Sequence, residues 1–261
     1  MRTLLKSLFV YYKNKILLLI KFLWNATSVI NIIKSINDKS TAKLTTNNVA
    51  LILAGGQSTR FNTDVMKQLY LHNNKCLISY SILALDGLVE HIIIVANSEC
   101  ELEIQQIIDT MELDTNIYIV VNNVNCRLKS IECGLEYTKN KLHDIKNILI
   151  YDGARPFVPR QYMKDILTNT NYYSQYCLKL TNGLMNMNFN VLDRDKYIEM
   201  CTPICMNFNL CYFIFMEFIK SKYSYEFVNI LKLYNIPMNI MYGHFKYLRK
   251  ITYVEDLELT I

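Results

Sequence analysis

Four short runs rich in apolar residues, each about as long as one strand, constrain the fold of this chain. They are Val49–Leu53, His91–Asn97, Asn116–Asn123 and Asn147–Ile150. Apolar runs of this length are typical of parallel strands covered by helices on both faces. The segments between the runs have helical patterns, so strands and helices alternate along the chain. The sequence therefore predicts an α/β fold with a doubly wound, mostly parallel sheet.

The predicted helices lie between these strands. We expect them over Ile78–Leu88, Glu99–Met111 and Ser130–Lys139, joined to the strands by right-handed connections. In open sheets of this kind, ligands bind at the carboxyl ends of the strands. Two of those ends here are Leu53 and Ile150. The residues that follow them are therefore the first candidates for a functional site.

A glycine turn follows the first strand. Gly55 and Gly56 allow a tight bend, and the exposed amides of such a bend form a concavity that suits an anion. Arg60 and Lys67 follow closely enough to add positive charge to the same concavity. The segment is neither a Walker P-loop nor a dinucleotide fingerprint, because it has neither pattern of residues. These residues alone leave a nucleotide phosphate site and an ordinary surface turn equally open.

The segment YDGARPFV follows the fourth strand and begins at Tyr151. Asp152 offers a carboxylate that could hold a divalent metal ion, and Arg155 offers a fork of donors for a phosphate or carboxylate. The alternative is a turn in which the two side chains form a solvated ion pair. The glycine turn favours the first interpretation, since both segments would lie at the same edge of the sheet.

The chain resembles a known family through an ordered set of motifs that covers about residues 48–261. The motifs are LAGGQSTRF, MKQLYL, CRLKSIECGL, YDGARPFV, VLDRDKY, CTPI and KITYVEDL. The family is that of the cytidylyltransferases that make CDP-methylerythritol, together with relatives that make CDP-ribitol. The resemblance implies a Rossmann-like nucleotidyltransferase fold with a small protruding arm that pairs two subunits, and hence a homodimer.

The resemblance also implies roles for particular residues. The residues that would bind CTP are Ala54, Gly55, Gly56, Arg127 and Ser130. The charge of its phosphates would be offset by Arg60, Lys67 and Lys250, and Mg²⁺ would be held by Asp152. A phosphorylated sugar alcohol would be contacted by Arg155, Arg194 and Thr202, with Arg194 reaching across the dimer.

The expected reaction is transfer of CMP from CTP to a polyol phosphate, with release of pyrophosphate. The first expectation for the acceptor is 2-C-methyl-D-erythritol 4-phosphate, a precursor of isoprenoids. Five positions depart from the family's pattern, mostly in its acceptor half: Met66, Ile204, Asn182–Met185, Ser224–Glu226 and Leu248. Two alternatives therefore stay open, namely a ribitol-5-phosphate cytidylyltransferase for surface glycans and a catalytically impaired relative that binds nucleotide.

The first 48 residues differ in charge from the remainder. They hold eight basic side chains and one acidic one, a net charge of +7 within a chain of net charge +5. The remaining residues therefore carry −2, which does not favour nucleic-acid binding by that part. We expect two parts, an extension with a linker over residues 1–48 and a nucleotidyltransferase domain over residues 49–261.

The start of the extension has the pattern of a basic amphipathic helix. In residues 1–24 the basic side chains Arg2, Lys6, Lys13 and Lys21 cluster on one arc, which suits contact with a membrane surface. Its apolar runs are too short to span a bilayer. A helix packed on the body or on a partner, an organelle transit segment and a secretory signal are alternatives. Residues 37–48 are polar and are expected to form a linker.

Cysteine usage favours a reducing compartment. The chain has eight cysteines without a C-x-x-C pair, so buried free thiols are expected rather than disulfides or a zinc site. We therefore expect a cytoplasmic protein. The alternatives are the lumen of a plastid-type organelle and a peripheral membrane location through the extension.

Overall fold

The structure, a computed structural model, describes residues 21, 23–37, 47–61, 65–220 and 226–260. Seven strands form the central sheet: β1 (Asn48–Ala54), β4 (His91–Ala96), β5 (Asn116–Val121), β6 (Asn147–Asp152), β7 (Tyr173–Lys179), β10 (Ile198–Asn207) and β11 (Asn239–Tyr242). Two small hairpins complete the strands, β2 (Leu71–His72) with β3 (Lys75–Cys76), and β8 (Leu184–Met185) with β9 (Val191–Leu192).

The order of the sheet is β11-β7-β10-β6-β1-β4-β5. Only β10 pairs in the antiparallel sense with its neighbours, and every other pairing in this sheet is parallel. The mixed α/β, mostly parallel architecture predicted from the apolar runs is therefore confirmed. No helix within the described parts of the chain is long and apolar enough to cross a membrane.

Helices cover both faces of the sheet. They are α1 (residues 23–37), α2 (Leu77–Leu85), α3 (Glu101–Asp109), α4 (Arg127–Lys141), α5 (Arg160–Thr168), α6 (Phe208–Ile214), α7 (Phe227–Leu233) and α8 (Phe245–Leu248). A π-helical turn, Phe215–Ile219, continues α6. Short 3₁₀ turns lie at Lys67–Leu69, Ser98–Cys100, Arg194–Lys196 and Val254–Thr260.

Strand β1 has no polar residue between its ends, because both of its faces are buried. Val49 and Leu51 pack into the core on one face, whereas Ala50 and Ile52 pack into the core on the other. All four side chains are fully buried. Because neighbouring residues of a strand point to opposite faces, a strand covered on both sides must be apolar throughout. This central strand delivers the glycine turn to the edge of the sheet.

Helix α4 lies unusually close to β1 because it has a glycine at the contact. A Cβ atom on Gly134 would lie 2.2 Å from Cδ1 of Leu51, so any other residue requires a shift of the core. The same helix buries Glu132, whose carboxylate binds Lys129 at 2.9 Å and Lys220 at 2.6 Å. These contacts fix the helix that begins at Arg127, one of the predicted CTP-binding residues.

Most of the residues predicted to form the basic amphipathic helix and the polar linker lie outside the described residues. The described helix α1 runs over residues 23–37, and it buries Val29 fully against the main core. Ile32, Ile33 and Ile36 pack against the same core. Residues 23–37 therefore form a helix packed on the body, whereas the alternatives for residues 1–24 concern a segment that lies almost wholly outside the described residues.

The arm implied by the family resemblance would fall within residues 172–200, where the structure has the β8–β9 hairpin, and we call this hairpin and its flanks the arm. Several of its apolar side chains are exposed, and Met187 reaches 94% exposure. Phe189 and Val191 are also largely exposed. Contacts among the described residues of one copy therefore do not account for the apolar character of this hairpin.

Candidate nucleotide site

A cavity of about 300 Å³ opens at the carboxyl ends of β1 and β6. It is lined by the glycine turn after β1 (Leu53–Arg60), by Lys67 and Gln68, by the start of α4 (Asn125–Arg127 and Ser130), by Asp152–Ala154, and by Lys250 and Thr252. Leu53 and Asp152 are neighbours in the register of the two strands. The glycine turn and the Asp152 segment therefore meet at one crevice, as the sequence predicted.

The two strands leave the sheet in close contact. The amide of Gly153 donates to the carbonyl of Leu53 at 3.0 Å. A Cβ atom on Gly153 would lie only 3.1 Å from that same oxygen, so the position favours glycine. This close approach places the Asp152 carboxylate beside the turn that follows β1.

Asp152 is the acidic centre of a cluster of cations. Its carboxylate lies 3.3 Å from Nε of Arg127, 3.3 Å from Nζ of Lys250 and 3.8 Å from Nε of Arg155. Burial alone would raise the pKa of Asp152, but these three cations outweigh it and hold the pKa below its ordinary value. Asp152 is therefore ionised at neutral pH.

Lys67 is held at the rim of the cavity by two contacts. Its backbone amide donates to Oγ of Ser58 at 2.9 Å, and its ammonium group donates to the carbonyl of Ile251 at 2.9 Å. Burial, followed by repulsion from Lys250 and Arg60, lowers the pKa of Lys67 to about 8. Burial first, and then the neighbouring cations, thus disfavour the charged form of Lys67.

The start of α4 forms the opposite wall. The helix begins at Arg127 without a side-chain cap, and unpaired amides at a helix N-terminus attract anions. Oγ of Ser130 accepts from the side-chain Nδ2 of Asn122 at 3.0 Å, which ties the helix to the end of β5. Nδ2 of Asn125 donates to Oε1 of Gln57 at 3.2 Å, so the wall also contacts the glycine turn.

The three predicted acceptor residues do not line the cavity. Arg155 is buried behind Asp152 and donates to the carbonyl of Leu248. Thr202 is also buried, and its hydroxyl accepts from the amide of Asp152 at 3.1 Å. Arg194 is exposed beside the arm and donates to the carbonyl of Thr181. Two of these residues therefore support Asp152, and the third lies apart.

Ten lining residues were not among the sequence candidates: Leu53, Gln57, Ser58, Thr59, Gln68, Asn125, Cys126, Gly153, Ala154 and Thr252. Each of them lies within two positions of a predicted site residue. Ser58 stands out in the structure, because it has a left-handed backbone (φ 54°), which is uncommon for a residue other than glycine. Their closeness in sequence to predicted site residues could have identified them, but it assigns none of them a chemical role.

The acidic groups that the structure describes at the site suit a metal ion that takes most of its ligands from phosphate and water. Among the residues that the structure describes, no three His, Cys, Asp or Glu side chains are grouped as a metal site. Of the residues that the structure describes, Asp152 is the one carboxylate that lines the cavity. Mg²⁺ commonly binds one or two carboxylates together with phosphate oxygens and water. The donor set therefore fits a magnesium ion that is shared with a bound polyphosphate.

Comparison with known proteins gives a consistent result. Residues 48–260 match the family model of 2-C-methyl-D-erythritol 4-phosphate cytidylyltransferase. The enzyme of this name from Clostridium novyi is 23% identical over 81% of this chain and 94% of its own length. The one from Thermosipho melanesiensis is 32% identical, but the match covers only 49% of this chain and 55% of that relative.

The solved structures agree on the fold. A crystal structure of 4-diphosphocytidyl-2C-methyl-D-erythritol synthase from Anaerococcus prevotii superposes with a TM-score of 0.67 at 17% identity, over 82% of this chain and 94% of that one. The 2-C-methyl-D-erythritol 4-phosphate cytidylyltransferase from Thermus thermophilus gives 0.63 at 16% identity, over 82% and 97%. The sequence motifs, the sheet and the family match together show that this chain belongs to the 2-C-methyl-D-erythritol 4-phosphate cytidylyltransferase family.

Proposed function

We propose that this protein transfers CMP from CTP to a phosphorylated sugar alcohol and releases pyrophosphate. The observation that carries the proposal is the single cavity that unites the glycine turn, the cations Arg60, Lys67 and Lys250, and the carboxylate of Asp152. Polyphosphate recognition requires cations and backbone amides around a concave site, and nucleotidyl transfer adds a divalent metal ion. The cavity offers groups suited to each of these tasks.

The chemistry asks the protein mainly to position groups and to offset charge. A phosphate oxygen of the acceptor forms a bond to the α-phosphorus of CTP, and the bond to the bridging oxygen of the β-phosphate breaks. The electron pair leaves with pyrophosphate. Lys67 and Lys250 would lie against the phosphates and stabilise the charge that develops during the transfer. No nucleophilic side chain is needed, because the acceptor phosphate is itself the nucleophile.

Asp152 would hold Mg²⁺ together with the phosphates of the nucleotide. Bound there, the ion would draw charge from the phosphate oxygens and orient the triphosphate. The chain's own groups prepare this position. Thr202 fixes the backbone of Asp152, and Arg155 lies behind its carboxylate. On this proposal the two buried residues act on the acceptor only through Asp152.

The acceptor that we propose is 2-C-methyl-D-erythritol 4-phosphate. The names of the relatives from Clostridium novyi and Thermosipho melanesiensis support it, since each names that compound as the substrate. Ribitol 5-phosphate and a loss of turnover are the competing outcomes, because the sequence departs from the family's pattern mainly on the acceptor side.

The test is an assay of pyrophosphate release by the purified full chain with CTP, Mg²⁺ and each of the two polyol phosphates. We expect release with the methylerythritol compound. Lys67→Ala should lower turnover by roughly 10²–10³-fold, as removal of a group that stabilises transition-state charge commonly does. Lys75→Ala is the matched control, because Lys75 is exposed on the β2–β3 hairpin and does not line the cavity. No release with either acceptor would refute the proposal.

We also propose that the protein is a homodimer joined through the arm. The exposed apolar residues of the β8–β9 hairpin support this, since contiguous exposed apolar side chains often mark an interface. Light scattering of the full chain should give twice the monomer mass. Replacing Met187 and Phe189 by serine should lower it to the monomer mass, and an unchanged mass would contradict the role of the arm.

A further inference from the structure

The segment Arg249–Tyr253 carries two groups of the site, although no helix or strand spans it. Nζ of Lys250 lies 3.3 Å from Oδ2 of Asp152. The carbonyl of Ile251 accepts from the ammonium group of Lys67 at 2.9 Å, while its amide donates to the carbonyl of Ala154 at 2.7 Å. Something other than regular secondary structure must therefore fix the shape of this segment.

The carboxylate of Asp256 binds both ends of the segment. Oδ2 accepts from the backbone amides of Thr252 at 2.7 Å and Tyr253 at 2.9 Å. Oδ1 accepts from the guanidinium of Arg249. Burial opposes the ionisation of Asp256, but the two amides and Arg249 outweigh it and lower its pKa. One buried, ionised side chain thus joins the start of the segment to its end.

We propose that Asp256 is a positioning residue for the nucleotide site, and this inference rests on the proposed function. Its carboxylate folds the segment so that Lys250 meets Asp152 and the carbonyl of Ile251 meets Lys67. The side chain of Ile251 is fully buried in a small apolar cluster, which holds the middle of the segment. Without Asp256 the two ends would lose their common acceptor, and the two lysines would lose their fixed relation to Asp152.

Asp256 also acts on Lys67 through its charge. The charged groups that act on Lys67 are Lys250 and Arg60, which lower its pKa, and Asp152 and Asp256, which raise it. Burial is the largest effect and lowers the pKa. Removing the charge of Asp256 should therefore lower the pKa of Lys67 further. This shift reports the charge of Asp256, and its positioning role is tested by a variant that keeps the charge.

The chain offers a matched control in Asp86. Its Oδ1 accepts from two consecutive backbone amides, those of Asp114 and Thr115, each at 3.0 Å. Asp86 therefore repeats the paired amide contacts of Asp256. It joins the end of α2 to the start of β5, and none of these three residues lines the cavity. Loss of the carboxylate at Asp86 should lower stability without affecting the site.

The experiment compares wild type, Asp256→Asn and Asp86→Asn as full chains, by thermal unfolding, CTP titration and pyrophosphate release. We expect both variants to unfold a few degrees lower. Only Asp256→Asn should lose about 10–100-fold in turnover, the loss seen when supporting contacts of a reactive site are removed. It should also move the pH midpoint of CTP-linked proton uptake below that of wild type.

A second variant, Asp256→Glu, keeps the charge and displaces the carboxylate. We expect it to retain a midpoint near that of wild type and to lose turnover. Equal turnover and equal CTP affinity in wild type, both Asp256 variants and Asp86→Asn would overturn the inference. If wild type itself releases no pyrophosphate, the proposed function fails, and the affinity and pH midpoint for CTP still decide the role of Asp256.

Discussion

Binding of CTP should change the protonation of Lys67, and the change can be measured without any acceptor. In the free protein, burial together with the cations Lys250 and Arg60 lowers the pKa of Lys67 to about 8. A triphosphate beside the ammonium group would favour the charged form and raise that pKa again. The protein should therefore take up protons when it binds CTP near pH 8.

The number of protons taken up follows from the pKa of Lys67 in the free protein. At pH 8 about half of the Lys67 side chains are neutral, so binding should take up about 0.5 proton per CTP. At pH 7 the uptake should be roughly 0.1 proton, and at pH 9 it should approach about 0.9. Asp152 contributes nothing over this range, because its pKa is lowered from an already acidic value and it stays ionised.

The assay is calorimetric titration of CTP with Mg²⁺ at pH 7, 8 and 9, each in two buffers of different ionisation enthalpy. The difference in apparent enthalpy between the buffers gives the number of protons. Lys67→Arg is the control, because arginine remains charged throughout this range and should abolish the uptake while keeping the charge. An uptake in wild type that does not grow between pH 7 and pH 9, or that persists in Lys67→Arg, would refute the reasoning.

Three further predictions concern metal binding, packing and stability. Asp152→Asn should raise the Mg²⁺ concentration needed for half-maximal turnover at least about tenfold, and an unchanged magnesium titration would contradict the metal role. Gly134→Ala should lower the free energy of unfolding by about 1–3 kcal/mol in urea titrations, because its Cβ would collide with Leu51. Lys67→Met should raise the melting temperature at pH 7, and the gain should shrink between pH 8 and pH 10.5. In that range the unfolded chain binds more protons at Lys67 than the folded chain does, so wild type itself gains stability as pH rises.

The strands were predictable because burial on both faces leaves a continuous apolar run. The run predicted over Val49–Leu53 corresponds to β1 (Asn48–Ala54), and the run over Asn147–Ile150 corresponds to the first four residues of β6. Helix ends were less predictable. Helix α4 begins at Arg127, three residues before the predicted start, because its first turn faces the cavity and lacks an apolar pattern.

Helix α1 shows a different limit. The described helix covers residues 23–37, most of which carried no prediction. Its buried face consists of Val29, Ile32, Ile33 and Ile36, which recur at helical spacing, but Leu23, Trp24 and Ile30 are exposed. Apolar residues on both sides of the helix obscure the face that packs. The contact with the core was visible only once the fold was known.

The site likewise contains residues that could be placed from the sequence and contacts that could not. Gly55, Gly56 and Asp152 could be placed in one cavity from the sequence because they directly follow neighbouring parallel strands, and strand order then fixes their positions. The contact between Lys67 and the carbonyl of Ile251 joins residues 184 positions apart. The role of Asp256 depends on backbone amides, which have no signature in the sequence.

The placement of the cations connects these observations to function. Arg127, Arg155 and Lys250 lie within 4 Å of a single carboxylate, that of Asp152, and Lys67 is bound to a carbonyl. The charged form of Lys67 is disfavoured in the free protein, chiefly by burial and then by repulsion from Lys250 and Arg60. A polyphosphate would relieve the repulsion among these side chains. The lowered pKa of Lys67 in the free protein is thus the shift expected for a site that binds a strongly anionic ligand. Proton uptake at Lys67 on binding measures this shift directly.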